Sequence, residues 1–158
     1  MVGWKGWPSG LAVILGDGAM ARNNGMSVCL QAVPTSLRPG RIGKRADVPA
    51  HYGVEYRPGN WNCGHVSLES DVVLFVTLDG SYARQGRDGE IYRWISQNKC
   101  KSSGKKGQEI LSAGEPGAKV VHLWERASKG PFRYLGTVSY IQHEGEQPMA
   151  VTFRLQPV

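Results

Sequence analysis

The apolar positions of this chain fall in runs of a few residues, each cut short by glycine, proline or an Asp-Gly pair. Such spacing suits strands and turns far better than long helices. Strands are expected at residues 11–15, 26–33, 53–57, 65–68, 72–78, 91–97, 119–125, 132–142 and 149–155, several of them rich in Val, Ile, Tyr, Trp and Phe. Turns are expected at Asp79-Gly80, Asp88-Gly89, Lys129-Gly130-Pro131 and Glu144-Gly145-Glu146. Helix signals are few: residues 42–52, ended near Gly53 but interrupted by Pro49, and residues 105–113, ended at Gly114. The predicted class is α+β, mainly β: a curved sheet or partly closed barrel with a few short helices. Residues 1–25, with Trp4, Trp7 and six glycines, carry the weakest pattern.

Length and composition narrow this picture. A chain of 158 residues fits one domain, taken here as 1–158, and is long enough to bury a core without disulfides. The 21 glycines and nine prolines reinforce the turn-rich reading. The 19 Lys and Arg exceed 13 Asp and Glu by six, and the window 84–106 holds seven basic and two acidic residues, +5 of that +6. Concentrated charge of this kind favours a polyanionic partner. A second basic cluster comprises Arg38, Arg41, Lys44 and Arg45. Cys29, Cys63 and Cys100 are odd in number and lack C-x-x-C spacing, so a reducing, cytoplasmic setting is expected. No apolar run approaches the roughly 18–20 residues of a membrane span.

The segment 92–108 then carries the candidate chemistry, because it runs from aromatic rings through amides and a hydroxyl into lysines. Rings stack an unstacked base, amides and hydroxyls read its edges, and ammonium groups meet phosphate. On an extended chain Tyr92, Trp94, Ser96 and Asn98 share one face, which either lines a pocket or packs in the core. Gln97 and Asn98 each offer a donor and an acceptor together, although such residues also end strands. Asp79 follows an apolar run and could accept from an exocyclic amine, or simply open an Asp-Gly turn. Phe75 and Trp61 are further pocket candidates. Phosphate contacts are expected from Arg84, Arg87, Lys99, Lys101, Lys105 and Lys106.

Competing chemistries find little. Cys63 and His65 leave two of the four ligands of a structural zinc site unexplained, so no metal and no cofactor is expected. His51, His122 and His143 show no spacing to a nucleophile, Ser9 lacks a G-x-S-x-G elbow, and no P-loop or dinucleotide fingerprint occurs. The expectation is a binding domain rather than an enzyme.

Several separated blocks carry a family resemblance: Trp61-Asn62-Cys63-Gly64-His65-Val66; Leu74-Phe75-Val76-Thr77-Leu78; Tyr92-Arg93-Trp94-Ile95-Ser96-Gln97-Asn98 with Lys105-Lys106-Gly107-Gln108; Val121-His122-Leu123-Trp124-Glu125-Arg126; and Pro131-Phe132-Arg133-Tyr134-Leu135-Gly136. Through them residues 52–155 resemble the C-terminal domain of phospholipase-D/helicase modification-dependent (type IV) restriction enzymes, of the SRA/PUA-like class. The resemblance implies a module that binds double-stranded DNA carrying a modified base, most often a 5-modified cytosine such as 5-methylcytosine. It implies that the base is flipped into a pocket on a partly closed barrel, and that a nuclease or helicase domain of the parent restriction system is the partner. The alternative is a PUA-like module reading structured or modified RNA.

Overall fold

The computed structural model describes residues 37–80, 82 and 84–156. The strands expected at 11–15 and 26–33, together with Trp4, Trp7 and Cys29, lie outside them. The described chain is mainly β. Eight strands form one mixed sheet: β1 (Ile42–Gly43), β2 (His65–Ser67), β3 (Asp71–Thr77), β4 (Gly86–Asp88), β5 (Ile91–Ile95), β6 (Val120–Arg126), β7 (Phe132–Glu144) and β8 (Ala150–Leu155). A 3-10 helix (Val48–Tyr52) and two short α-helices, α1 (Pro58–Trp61) and α2 (Lys105–Leu111), connect them.

The strand order is β2-β3-β6-β7-β8-β5-β4, with β1 added alongside β7. Only β3 and β6 pair in parallel, and β3 accordingly reads as an unbroken apolar run, DVVLFVT, because both of its faces are covered. Val72, Leu74 and Val76 join one buried cluster with Tyr92, Trp94, Ile110, Leu123 and Phe153. Val73 and Phe75 join a second, with Val48, Trp61, Trp124, Phe132 and Tyr134. A bulge in the β6–β7 ladder between Leu123 and Trp124 shifts the register by one residue, so Phe132 and Tyr134 serve the second cluster while Val138 serves the first.

Three strand spacings separate β6 from β5 along the sheet, about 14 Å if it were flat. Yet the Tyr92 hydroxyl, on β5, donates to Glu125 Oε2, on β6, over 2.6 Å. The sheet is therefore strongly curved around the first cluster, and it is open, with β2 and β4 as its end strands. On the other face His122 bridges three strands: Nε2 lies 2.8 Å from Asp71 Oδ1 and Nδ1 lies 2.8 Å from the Tyr134 hydroxyl.

Some expectations are corrected. Residues 53–57 are not a strand, because Gly53 at φ 67° closes the 3-10 helix and the chain runs irregularly to Pro58, which opens α1. The helix expected at 42–52 is confined to its end, since residues 42–43 pair with Phe132 and Arg133 of β7. The helix at 105–113 stops at Leu111, and Gly114 then turns at φ 89° against Ser139, where a Cβ would meet the serine Cβ at 2.5 Å. Strands β1 and β4 and helix α1 were not foreseen; each is too short to carry a periodicity of its own.

Candidate nucleic-acid interface

The ends of β3 and β5 lie side by side in space, and a cavity of about 230 Å³ opens between them. Phe75, Thr77 and Asp79 come from β3 and its following turn, and Trp94, Ile95, Ser96 and Gln97 from β5 and its extension. Gln85 closes one side by linking the two: its Nε2 donates to Thr77 O (3.4 Å) and its Oε1 accepts from Ile95 N (3.1 Å). Tyr82, Gly64 and Arg45 complete the lining. Against the ~300–1,000 Å³ of ligand pockets in general, the volume suits a single ring rather than a dinucleotide.

The alternation read from the sequence places Tyr92, Trp94 and Ser96 on one buried face, but their tasks differ. Trp94 is both core and wall: it is 3% exposed, tilted against Phe153 at 6.3 Å, and it lines the cavity. Ser96 lines it too, yet its hydroxyl accepts from Met149 N (2.8 Å) and donates to Gln97 O (3.2 Å), so it fastens β5 to the segment before β8. Tyr92 is fully buried and lies among the core residues, and its phenol pKa is raised by burial and then by Glu125. Phe75 packs edge-on against Phe132 and Trp61, so Trp61 backs the cavity without lining it. Asn98 sits in an exposed turn closed by Cys100 N donating to Gln97 O (2.9 Å). Asp79 lines the cavity and is also engaged in an interaction of its own.

Gln97 is the hinge of the arrangement. It is exposed, and it lines both this cavity and a second one of about 360 Å³ walled by Lys99, Cys100, Lys101, Gly104, Lys105, Lys106 and Gly107. Its amide lies beside Gly64, where an added Cβ would stand in ordinary van der Waals contact with Gln97 Nε2 at 3.7 Å. The lysine loop is held in shape from both sides. Ser102 N donates to Glu146 Oε2 (2.9 Å), Ser102 Oγ donates to the other carboxylate oxygen, and Gln108 Nε2 donates to Ser102 O (2.7 Å). These bonds hold the Glu146 carboxyl below its ordinary pKa. The four lysines are exposed around this ordered frame.

Arg84 and Arg87 do not join that loop. Arg84 occupies an exposed turn at φ 64°. Arg87 donates from Nε to Gly89 O (2.6 Å) and lines a third cavity of about 530 Å³, with Arg126, Arg133 and Glu125. Sequence reasoning missed Gln85 and Tyr82, which lie in a Gly-rich stretch without pattern, and Arg45, which it noted only as one of four basic residues. Among the described residues no group of three His, Cys, Asp or Glu side chains is placed to hold a metal, Cys63 and Cys100 are free thiols, and no helix is long and apolar enough to cross a membrane. A scan against protein-family models and a search of curated proteins find no match to this chain.

Proposed function

We propose that this domain is a reader of modified DNA: a modified base, above all a 5-modified cytosine, enters the cavity between β3 and β5 while the adjoining lysine loop holds the flanking phosphates. One observation carries the reading: a ring-sized cavity walled by Trp94 and Phe75 shares Gln97 with a cavity bordered by four lysines. A base removed from the stack needs apolar walls and edge-reading groups, and its backbone needs cations within one nucleotide's reach. The curved sheet is the frame for an SRA/PUA-like reader, and membership of that class, within a type IV restriction system and without catalysis of its own, is part of the proposal. A flipped base pays unstacking energy that modified-base contacts must return, so discrimination is expected to reside in the cavity and affinity in the loop.

The test is binding to a duplex panel in which one cytosine is unmodified or 5-modified, at stated salt, with matched RNA as competitor and divalent metal added to a parallel cleavage assay. Preference for one modified duplex supports the reading. Equal affinity across the panel, stronger binding to the RNA, or cleavage by the chain itself overturns it.

Two further results are expected. Gln97→Ala should lose most of the discrimination with stability unchanged to within about 0.5 kcal/mol, because the side chain is exposed and makes no hydrogen bond to described residues. Trp94→Ala would be the poorer probe, since it opens the core as well as the cavity. Replacing Lys99, Lys101, Lys105 and Lys106 with alanine should flatten the plot of log affinity against log salt by roughly 0.9 for each phosphate no longer neutralised. An unchanged slope would remove the loop from the interface.

A further inference from the structure

Arg45 is the most unusual member of the cavity wall. It is half-buried, and its guanidinium carbon lies 4.4 Å from the Phe75 ring centroid and 4.9 Å from that of Phe132. Nη1 donates to two main-chain carbonyls, Trp61 O (2.9 Å) and Cys63 O (3.0 Å). A guanidinium has five N–H donors in a fixed plane. The three on Nε and Nη2 meet no acceptor among the described residues, and no carboxylate there forms an ion pair with Arg45. Burial, and then the neighbouring Arg126, lower its pKa, as expected for a cation set apart from water beside a like charge. The two rings and the two carbonyls hold the guanidinium in the cavity wall with three donors left over for an occupant.

A methyl group offers such a cation nothing, whereas an oxygen-bearing substituent supplies the acceptor and a carboxylate also supplies the charge. Resting on the modified-DNA reading above, we infer that Arg45 determines the specificity of the cavity, and that the preferred base is a cytosine whose 5-substituent carries oxygen, hydroxymethyl or carboxyl, in preference to 5-methylcytosine. Thr77, Gln85 and Gln97 on the same walls make the cavity more polar than a methyl group requires. A hydrogen bond to a charged donor corresponds to roughly tenfold or more in affinity.

The experiment compares four duplexes that differ at one cytosine (unmodified, 5-methyl, 5-hydroxymethyl, 5-carboxyl), bound by the wild-type chain, Arg45→Met and Arg45→Lys, each variant checked for its melting temperature. Wild type is expected to bind the hydroxymethyl duplex about tenfold more tightly than the methyl duplex and the carboxyl duplex more tightly still. Arg45→Met should bring these ratios to about one. Arg45→Lys should keep part of the carboxyl preference while losing most of the hydroxymethyl preference, because charge remains but the fork does not. The readout is a ratio within each protein, so a general loss of affinity does not imitate it. Should Arg45→Met fail to fold, the wild-type ratios and the lysine variant decide the matter. Tightest binding of the methyl duplex, or equal binding of all three modified duplexes above the unmodified one, overturns the role of Arg45 and leaves the modified-base reading standing. Equal binding of all four duplexes removes the reading itself.

Discussion

Gly107→Ala is expected to destabilise the protein by about 3 kcal/mol and to abolish binding through the lysine loop. The same change in an open helix would stabilise it by up to about 1 kcal/mol, since alanine has the better helix propensity. The sign reverses because helix α2 crosses the loop at this residue: a Cβ on Gly107 would lie 2.0 Å from Lys101 O, and 2.9 Å from both Lys101 C and Ser102 O. These are main-chain atoms, which cannot rotate aside. Ser102 is also pinned by Glu146 and Gln108, so relief must come from displacing the whole turn that carries Lys99, Lys101 and Lys105. Gly59→Ala is the control, as a glycine in helix α1 with nothing within 4 Å of the added Cβ. Thermal melts of the two variants beside wild type, with affinity for the same duplex, test the point. Unchanged melting and binding in Gly107→Ala would mean that loop and helix are not so closely apposed and that the phosphate frame described above is wrong.

The contrast between these glycines marks how far the sequence could be read. Strands β3, β5, β6, β7 and β8 were legible because β-branched and aromatic residues recur in them between turn residues, and the structure finds each within a residue or two of its expected place. The buried alternation of Tyr92, Trp94 and Ser96 was legible for the same reason. What such a pattern does not carry is pairing. That β3 lies beside β6 in parallel, and that the sheet curves until Tyr92 meets Glu125, are non-local facts with no signature in either strand. The cavity shows the same division: Phe75, Asp79, Trp94, Ser96 and Gln97 were named from local chemistry and do meet there. Arg45 reaches it from a distant segment, through carbonyls of residues 61 and 63, and Gln85 through a strand end it bridges. Side-chain type signals which chemistry is present, while tertiary contact decides which member of a basic or polar group performs it.

His65 supplies the other large expected effect, a loss of stability in mild acid. It is 4% exposed on β2, and neither ring nitrogen has a hydrogen-bond partner among the described residues. Burial, and then Lys106, push its pKa down from 6.5 to about 4; Glu109, whose Oε2 lies 3.8 Å from Nε2, opposes the shift, and Lys119 adds to it. In the unfolded chain the imidazole takes its proton near pH 6.5, but in the folded chain only near pH 4. Between those values the unfolded state binds more protons, so stability falls as pH drops, by about 1.4 kcal/mol per unit and about 3 kcal/mol in all. Glu109 acts in the same direction lower down. Its carboxyl is held below the ordinary value by Lys119 and Ser67 against the opposing effect of burial, and the stability it contributes is lost as pH falls through that depressed value. Urea unfolding of wild type and His65→Leu at a series of pH values between 7.5 and 4 separates the two. The leucine variant should be at least as stable at pH 7.5, because it removes two buried polar atoms that lack partners, and its stability should fall much less on the way to pH 4. Parallel curves would show that His65 titrates normally in the folded protein, and the packing of α2 over β2 would then be looser than the position of Glu109 implies. Lys106, which helps keep the imidazole neutral, also borders the lysine cavity, so protonating His65 places a second cation behind the proposed phosphate site. Because the folded imidazole stays neutral down to about pH 4, duplex affinity measured between pH 7.5 and 6 should hold, and a rise within that window would show that His65 takes its proton earlier in the folded chain than its burial allows.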